Sequence, residues 1–292
     1  MRTVSRPPFI EQLQQRWDRK DSMLCVGLDP DPSRLPSSLN QEPDGLQKFC
    51  RRIVDATAEY VCAFKPQVAY FAASGREDDL ASLITYIHEH HPAIPVILDA
   101  KRGDIGSTAR LYAQEAFTRY AADAVTVNPY AGEESVLPYL EYADRGVIVL
   151  CRTSNTGSDW LQKYPSIYPG IEPVYLRVAD AAARWNTNGN VMLVAGATFP
   201  EELGAIRARV GDMPLLVPGI GAQGGDLRSV ITVGCDSRGA GLVINASRSV
   251  LYASDGPDFA DSFAEGAADA AREMRDEIRK LQSELAPDRA VV

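Results

Sequence analysis

Histidine is scarce in this chain of 292 residues, which contains only three. His88, His90 and His91 all fall in the segment "TYIHEHHP" at the end of a predicted helix, where we expect them to form a polar cap. With these imidazoles in one place, neither a Ser-His-Asp nor a Cys-His nucleophile can be assembled. Acid-base chemistry must therefore depend on lysine and aspartate.

Cysteine is also sparse, and it lacks the spacing of a metal site or of a disulfide framework. The five cysteines are odd in number, far apart and without a CxxC pair: Cys25, Cys50, Cys62, Cys151 and Cys235. This distribution predicts reduced, mostly buried thiols, as expected of a cytoplasmic protein. It predicts no metal ligand set.

Long hydrophobic runs and an excess of positive charge are both missing. No apolar run is long enough to span a bilayer, and the start "MRTVSRPPFI" has no apolar core of the kind that targets a chain for secretion. The formal net charge is -9 with no basic stripe, which argues against nucleic-acid or membrane binding. We therefore expect a cytoplasmic protein, with room for a small anionic ligand at a local cluster of cations.

Short apolar runs rich in Val, Ile and Leu recur along the chain, and amphipathic stretches separate most of them. The eight runs span 23–29, 61–66, 95–101, 123–129, 146–152, 191–196, 214–219 and 240–245. Near-continuous hydrophobicity is typical of parallel strands that are buried on both faces. Eight strand-helix repeats favour a (β/α)8 TIM barrel, of the α/β class, over a doubly wound open sheet.

We predict a single domain over 1–292, with a barrel core at about 22–285 and helical extensions at both ends. The segment 259–281 places apolar residues at three- and four-residue spacing, which predicts a helix that closes the barrel. The connections 30–43 and 153–170 are long. Glycine and proline punctuation in the second predicts a structured loop without a helix.

Polar residues close several of the apolar runs at their C-terminal ends. In a barrel, the active site is built at that end of the strands. We therefore expect one mouth to be lined by the side chains that end runs one to five: Asp29, Lys65, Lys101, Asn128 and Arg152.

The stretch "PVILDAKRGD" carries the densest charge. Because residues two apart share one face of a strand, Asp99 and Lys101 should point together into the mouth, with Asp104 just beyond. A lysine between two carboxylates is expected to remain an ammonium, suited to act as a cation or proton donor. A structural ion pair is the alternative, but three charges leave one carboxylate over, which is costly unless a ligand uses it.

The stretch "VPGIGAQGGD" after the seventh run is rich in glycine. Its G-x-G-x-x-G spacing is a weak indication of a dinucleotide site, because that fingerprint follows the first strand of such folds. Backbone amides that lead into a helix also bind a lone phosphate. With Arg248 after the eighth run, the sequence predicts a phosphate site at the position where phosphate-binding barrels hold their ligand.

These motifs together resemble the orotidine 5'-phosphate decarboxylase family, in its longer bacterial branch. The similarity lies in six blocks in order: "VGLDP", "FKPQVAYF", "LDAKRGDIGST", "CRTSN", "VPGIGAQGGD" and "NASRSVLYA". It implies cofactor-free decarboxylation of orotidine 5'-phosphate to uridine 5'-phosphate in pyrimidine biosynthesis. Such a reaction leaves negative charge on C6 of the pyrimidine, which a preorganised cation can stabilise.

The resemblance also implies roles for individual residues. Asp29 and Lys65 would hold the ribose hydroxyls, and Asp99 would lie against the substrate carboxylate. Lys101, between Asp99 and Asp104, would protonate C6 as carbon dioxide leaves.

Other implied roles concern a partner subunit and the two ends of the substrate. Asp104 and Thr108 would reach across a homodimer interface into the neighbouring site. Ser154 would bind the pyrimidine, and the phosphate would lie against Gly221, Gln223 and Arg248. Thr156 departs from the family, which has a proline there.

Two other functions fit these residues. One is a magnesium-dependent phosphosugar lyase similar to hexulose-phosphate synthase, which uses enediolate chemistry. The other is a non-catalytic barrel that binds a phosphate ligand, since fold does not determine function. A Schiff-base aldolase is disfavoured, because its lysine needs an apolar pocket or a neighbouring cation.

Overall fold

The computed structural model describes residues 6–165, 170–221, 224–254 and 259–289. Within them, eight parallel strands form one sheet. The strands are β1 (Leu24–Leu28), β2 (Ala63–Pro66), β3 (Ile97–Arg102), β4 (Ala124–Val127), β5 (Gly146–Arg152), β6 (Val191–Ala195), β7 (Leu215–Pro218) and β8 (Leu242–Ala246).

The sheet closes on itself. Its order is β2-β1-β8-β7-β6-β5-β4-β3, and the two outer strands meet through a parallel bridge between Phe64 and Val96. The Phe64 amide donates to the Pro95 carbonyl over 3.1 Å at the same place. The predicted (β/α)8 TIM barrel is therefore confirmed.

Helices alternate with the strands and cover the barrel. The helices are α1 (Phe9–Lys20), α2 (Ser37–Asn40), α3 (Gly45–Thr57), α4 (Val68–Ala72), α5 (Glu77–His90), α6 (Gly106–Gln114), α7 (Leu137–Leu140), α8 (Asp159–Gln162), α9 (Val174–Trp185), α10 (Pro200–Val210), α11 (Leu227–Gly234), α12 (Arg248–Leu251) and α13 (Phe259–Arg289). Between β4 and β5 the helical layer is reduced to the single turn α7. The strands are almost wholly buried, as their continuous hydrophobicity predicts.

The helical extensions lie where the sequence places them. Helix α1 precedes β1, and its Phe9 packs against Gly146 at the start of β5, where a Cβ atom would overlap the phenyl ring. Helix α13 buries Phe263, Ala267 and Ile278 against the barrel. The assignment of all 292 residues to one domain stays a prediction.

The connection after β5 differs from its prediction. Residues 153–165 contain a tight turn at Thr156–Ser158 and the single-turn helix α8, whereas the sequence predicts a loop without a helix. One turn is too short to be stable by propensity alone. The buried side chain of Arg152 on β5 contacts this turn through hydrogen bonds that are described below.

The three histidines end α5 as expected, at the opposite end of the barrel from the strand C-termini. Two of their rings bind carboxylates of neighbouring elements. His88 Nε2 lies 3.0 Å from Asp123 Oδ2, and His91 Nε2 lies 2.8 Å from Asp55 Oδ1. They brace the base of the barrel and take no part in the site.

Candidate active site

A cavity of about 550 Å³ opens at the C-terminal ends of the strands. This volume is in the range of small-molecule sites. Six of the residues predicted from the sequence line it: Asp29, Lys65, Asp99, Lys101, Ser154 and Arg248. Residues at the strand ends therefore line this cavity, as the sequence predicts for Asp29, Lys65 and Lys101.

Asp99 lies between two lysines on the cavity wall. Its Oδ2 accepts a hydrogen bond from Lys65 Nζ over 2.7 Å, and its Oδ1 accepts one from Lys101 Nζ over 2.6 Å. Asp99 and Lys65 are 6% and 4% exposed. The Lys101 side chain is 46% exposed, so it is the partner that faces the open cavity.

Burial and pairing act in opposite directions on this cluster. Burial disfavours the charge on Asp99, but Lys65 and Lys101 outweigh it and lower the pKa of the Asp99 carboxyl well below its usual value. Burial likewise opposes the charge on Lys65, yet Asp99 and Asp29 raise the pKa of its ammonium above the usual value. The buried part of the site is thus a fixed ion pair at neutral pH.

The backbone at Lys101 has an unusual conformation. Lys101 has a φ of 48°, in the left-handed region that residues other than glycine rarely adopt. The pairing of β3 with β4 is irregular between Leu98 and Arg102. This irregularity breaks strict strand alternation at Lys101, but its ammonium still reaches the Asp99 carboxylate.

Asp104 and Thr108 lie outside this cavity. Asp104 follows β3 in the loop, and its Oδ1 accepts from the Ile105 amide over 2.8 Å. Thr108 is exposed in the first turn of α6. Within one chain, therefore, Asp99 lies between two lysines. The predicted position of Lys101 between Asp99 and Asp104 stays a prediction.

Asp29 at the end of β1 has an incomplete set of partners. Its Oδ1 is buried without a hydrogen-bond partner among the described residues. Asn245 at the end of β8 also lines the cavity, and its Oδ1 is in the same state. Because buried acceptors normally have a donor, this wall suits a ligand that brings hydroxyl groups.

Two of the five strand-end residues do not line the mouth as predicted. Asn128 turns back on its own loop, where its Oδ1 accepts from the Tyr130 amide over 3.0 Å. Arg152 is fully buried behind the wall, with its guanidinium 3.7 Å from the centroid of the Phe199 ring. A position at a strand end does not decide which way the side chain turns, and both residues found partners outside the cavity.

The glycine-rich segment after β7 forms a wall opposite the lysines. Gly219 and Ile220 line the cavity beside Ser247, Arg248 and Ser249. Gly221 adjoins them with a φ of 80°, which a side chain would strain, and a Cβ atom there would lie 3.5 Å from Ser249 Oγ. Gln223, predicted to bind phosphate, lies outside the described residues.

The sequence reasoning missed Thr126 on β4. Thr126 Oγ1 donates to Asp99 Oδ1 over 2.9 Å and lines the cavity. The sequence does single out this position, because Thr126 is the one polar residue of β4, "AVTV". Asn245 stands out in the same way in "LVINA" of β8.

Residues 6–165, 170–221, 224–254 and 259–289 offer neither a membrane span nor a metal cluster. No helix there has the length and apolar character needed to cross a membrane. The same residues contain no cluster of three or more His, Cys, Asp or Glu side chains arranged to hold a metal ion.

Known proteins are similar to this chain in sequence and in fold. The family model described as Orotidine 5'-phosphate decarboxylase / HUMPS family matches residues 22–261. Orotidine 5'-phosphate decarboxylase of Ralstonia pickettii is 57% identical over 276 residues, which cover 94% of this chain and 99% of that protein. The protein of the same name from Cupriavidus necator is 60% identical over 253 residues, or 86% and 92% of the two chains.

A solved structure extends the similarity to the fold. The structure of Leishmania donovani OMP decarboxylase has a TM-score of 0.79 at 38% identity, covering 94% of this chain and 99% of that chain. The family match spans the whole barrel with all eight strands, and the relatives are similar over nearly their full length. The chain therefore belongs to the orotidine 5'-phosphate decarboxylase / HUMPS family.

Proposed function

We propose that this protein decarboxylates orotidine 5'-phosphate to uridine 5'-phosphate, a step of pyrimidine biosynthesis, without a cofactor. The observation that carries the proposal is the buried Asp99 carboxylate between Lys65 and Lys101 on the wall of a nucleotide-sized cavity. The similarity to decarboxylases over almost the full chain supports it.

The cavity offers a complementary partner to each part of the substrate. Arg248 and the amides near Gly219 form one wall of the cavity and suit the phosphate dianion. Asp29, whose Oδ1 has no hydrogen-bond partner in the part of the chain that the structure describes, and Lys65 suit the ribose hydroxyls. Ser154, with Thr153 and Asn155 beside it, suits the polar edge of the pyrimidine.

The reaction needs an electron pair to be stabilised at C6 and then protonated. The bond from C6 to the carboxylate carbon breaks, carbon dioxide leaves, and the electron pair stays on C6. The Lys101 ammonium, at the exposed side of Asp99, stabilises this charge and transfers one proton to C6. Lys101 then recovers a proton from solvent.

The second lysine explains why the site stays intact during this transfer. When Lys101 gives up its proton, the buried Asp99 carboxylate would lose its only compensating charge if Lys65 were absent. Lys65 remains 2.7 Å from Asp99 Oδ2 and is buried with it. Asp99 therefore stays ionised and holds Lys101 in place throughout the cycle.

We further propose a homodimer in which Asp104 and Thr108 serve the neighbouring site. Both residues lie beside exposed apolar side chains, Ile105 and Leu111, and Tyr130 on the adjacent loop is exposed too. An exposed apolar patch of this kind marks an association surface. The absence of Asp104 and Thr108 from the cavity of their own chain agrees with a role across such an interface.

The direct test mixes purified protein with orotidine 5'-phosphate and excess chelator and follows the loss of orotate absorbance. We expect turnover in the wild type, at least about a thousandfold less in Lys101→Ala, and unchanged turnover in Lys48→Ala. Lys48 is a matched control because its side chain is 48% exposed and its ion pairs with Glu42 and Asp44 lie outside the site.

Other outcomes would point to the alternatives. Turnover that the chelator abolishes would favour a magnesium-dependent phosphosugar lyase. Tight binding of uridine 5'-phosphate without any turnover would favour a non-catalytic binding barrel. Near-normal turnover in Lys101→Ala would refute the proposed role of this lysine.

A further inference from the structure

Arg152 is a fully buried arginine that the proposed chemistry does not use. It is the last residue of β5 and directly precedes Thr153, Ser154 and Asn155, three residues that line the cavity. Its guanidinium stacks on the Phe199 ring behind the cavity wall. Keeping a cation in this position is costly unless its interactions serve a purpose.

The guanidinium holds the chain that follows the lining segment. Its Nη1 donates to Ser158 Oγ and, over 3.4 Å, to Gln162 Oε1. Its Nη2 donates to Asp159 Oδ1. Arg152 therefore anchors the turn at Thr156–Ser158 and helix α8 from its buried position behind the cavity wall.

The anchored residues in turn fix Thr153. Gln162 Oε1 accepts from the Thr153 amide over 2.9 Å, and Gln162 Nε2 donates to Thr153 Oγ1 over 3.0 Å. The Thr153 hydroxyl lies 2.7 Å from Asn155 Oδ1, and Ser158 Oγ donates to the Asn155 carbonyl over 2.6 Å. Thr153 and Asn155, on either side of Ser154, are thus hydrogen-bonded to residues that Arg152 anchors.

Ser154 itself is held from the other side by the loop after β6. A Cβ atom at Gly196 would lie 2.7 Å from Ser154 Cα, so only glycine allows this approach. Thr198 Oγ1 donates to the Ser154 carbonyl over 2.9 Å. The lining segment is therefore clamped between the β6 loop and the residues that Arg152 anchors.

We propose that Arg152 is a positioning residue that sets how tightly the site binds the base of its ligand. Through Ser158, Asp159 and Gln162 it holds Thr153, Ser154 and Asn155 at a fixed distance from the pyrimidine. The phosphate wall around Arg248 is formed by the segments that follow β7 and β8 and does not contain these contacts. The inference rests on the proposed function, because it assigns the pyrimidine to this segment.

The proposal predicts a selective loss of affinity. Weakening the anchor should lower the affinity for the base and leave the affinity for phosphate and ribose unchanged. A purely structural role would instead lower stability or weaken every ligand alike. The two readouts are therefore the dissociation constants of uridine 5'-phosphate and of ribose 5-phosphate, each measured by titration calorimetry.

The variants are chosen on the accessible side of the anchor, so that no buried charge is removed. Gln162→Ala removes the hydrogen bonds to Thr153, and Asp159→Asn weakens the ion pair with Arg152. Gln15→Ala and Asp269→Asn are matched controls, since the pairs of Gln15 with Glu11 and of Asp269 with Arg272 lie on the outer faces of α1 and α13. Arg152→Lys tests the guanidinium itself, because a lysine keeps the charge without the planar fork.

We expect the two anchor variants and Arg152→Lys to bind uridine 5'-phosphate about five- to tenfold more weakly, with ribose 5-phosphate within about twofold of the wild type. The controls should match the wild type for both ligands. Equal weakening of both ligands, or no weakening of either, would overturn the proposal. If Arg152→Lys fails to fold, Gln162→Ala and Asp159→Asn still decide the question.

The wild type separates this inference from the proposed function. If the wild type neither binds uridine 5'-phosphate nor turns over orotidine 5'-phosphate, the proposed function fails. If it does both and the anchor variants bind both ligands normally, only the role of Arg152 fails.

Discussion

Thr126 on β4 donates a hydrogen bond from its hydroxyl to Asp99 Oδ1 on β3 over 2.9 Å. The same hydroxyl oxygen accepts from the amides of Ala100 and Lys101, at 3.0 and 2.9 Å. One side chain therefore orients the buried carboxylate and also satisfies the irregular backbone that carries Lys101. Thr126 therefore connects a strand of the barrel to both residues of the proposed chemistry, Asp99 and Lys101.

Thr126→Val should impair catalysis more than binding. Valine keeps the shape of threonine but leaves the two partly buried amides without their acceptor, and it removes one of the two hydrogen bonds to Asp99 Oδ1. We expect kcat to fall roughly tenfold or more, KM to change little, and the free energy of unfolding to fall by about 1–3 kcal/mol. Steady-state kinetics and urea unfolding measure the three quantities.

The matched control for this change is Thr232→Val on α11. Thr232 Oγ1 donates to the Arg228 carbonyl at an exposed position far from Asp99. Unchanged kcat in Thr126→Val would show that the hydroxyl does not orient the site.

Asp123, at the base of the barrel, should govern part of the stability in acid. The carboxylate is 1% exposed and binds Arg6, His88 and the Val96 amide. Burial opposes its charge, but His88, Arg6 and the amide outweigh burial and lower the pKa of Asp123 to about 2. Since the unfolded chain binds the proton more readily, this contribution is present above about pH 4 and is lost as the pH falls toward 2.

The measurement is the free energy of unfolding between pH 2 and pH 7 in wild type and Asp123→Asn. We expect the variant to be less stable by about 3 kcal/mol at pH 7, with a smaller difference at low pH. Asp269→Asn, an exposed pair, should show no difference at either pH. A pH-independent difference would contradict the assignment of this acid sensitivity to Asp123.

Asp104 should act in the active site of the partner subunit. Neither Lys101→Ala nor Asp104→Ala should be active alone, but a mixture refolded together forms hybrid dimers with one intact site each. Random pairing restores about a quarter of the sites. Activity of the mixture, with hybrid dimers isolated through two affinity tags, checks the expectation, and a hybrid as inactive as its parents would exclude a shared site.

Arg248 should bind only the phosphate. Arg248→Ala is expected to raise KM for orotidine 5'-phosphate about a hundredfold, because a charge-assisted contact to a dianion is lost. Orotidine, which has no phosphate, should react at the same rate with both forms. Arg272→Ala, an exposed arginine of α13, is the control, and a loss that is equal for the two substrates would place Arg248 elsewhere in the mechanism.

The fold and the location of the site could be predicted because they depend on patterns repeated along the chain. Eight apolar runs of similar length indicate a closed parallel sheet, since strands buried on both faces must be apolar throughout. The C-termini of such strands meet at one end. Asp29, Lys65 and Lys101, which this rule predicts, line the cavity.

The same rule could not decide the direction of each side chain. Arg152 and Asn128 end their strands as Lys65 does, yet one turns behind the wall toward Phe199 and the other onto its own loop. Thr126 and Asn245 line the cavity from within β4 and β8, where the sequence shows only one polar residue among apolar neighbours. These outcomes depend on which partners the adjacent strands and loops present.

By itself, then, the sequence determined the barrel, the end at which the cavity opens and several of the charged residues that line it. Tertiary structure decided that Asp99, and not Lys101, is the residue held between two opposite charges in this chain. The reason is physical. Periodicity sets which residues share an element, whereas the pairing of buried charges depends on distances between elements that are far apart along the chain.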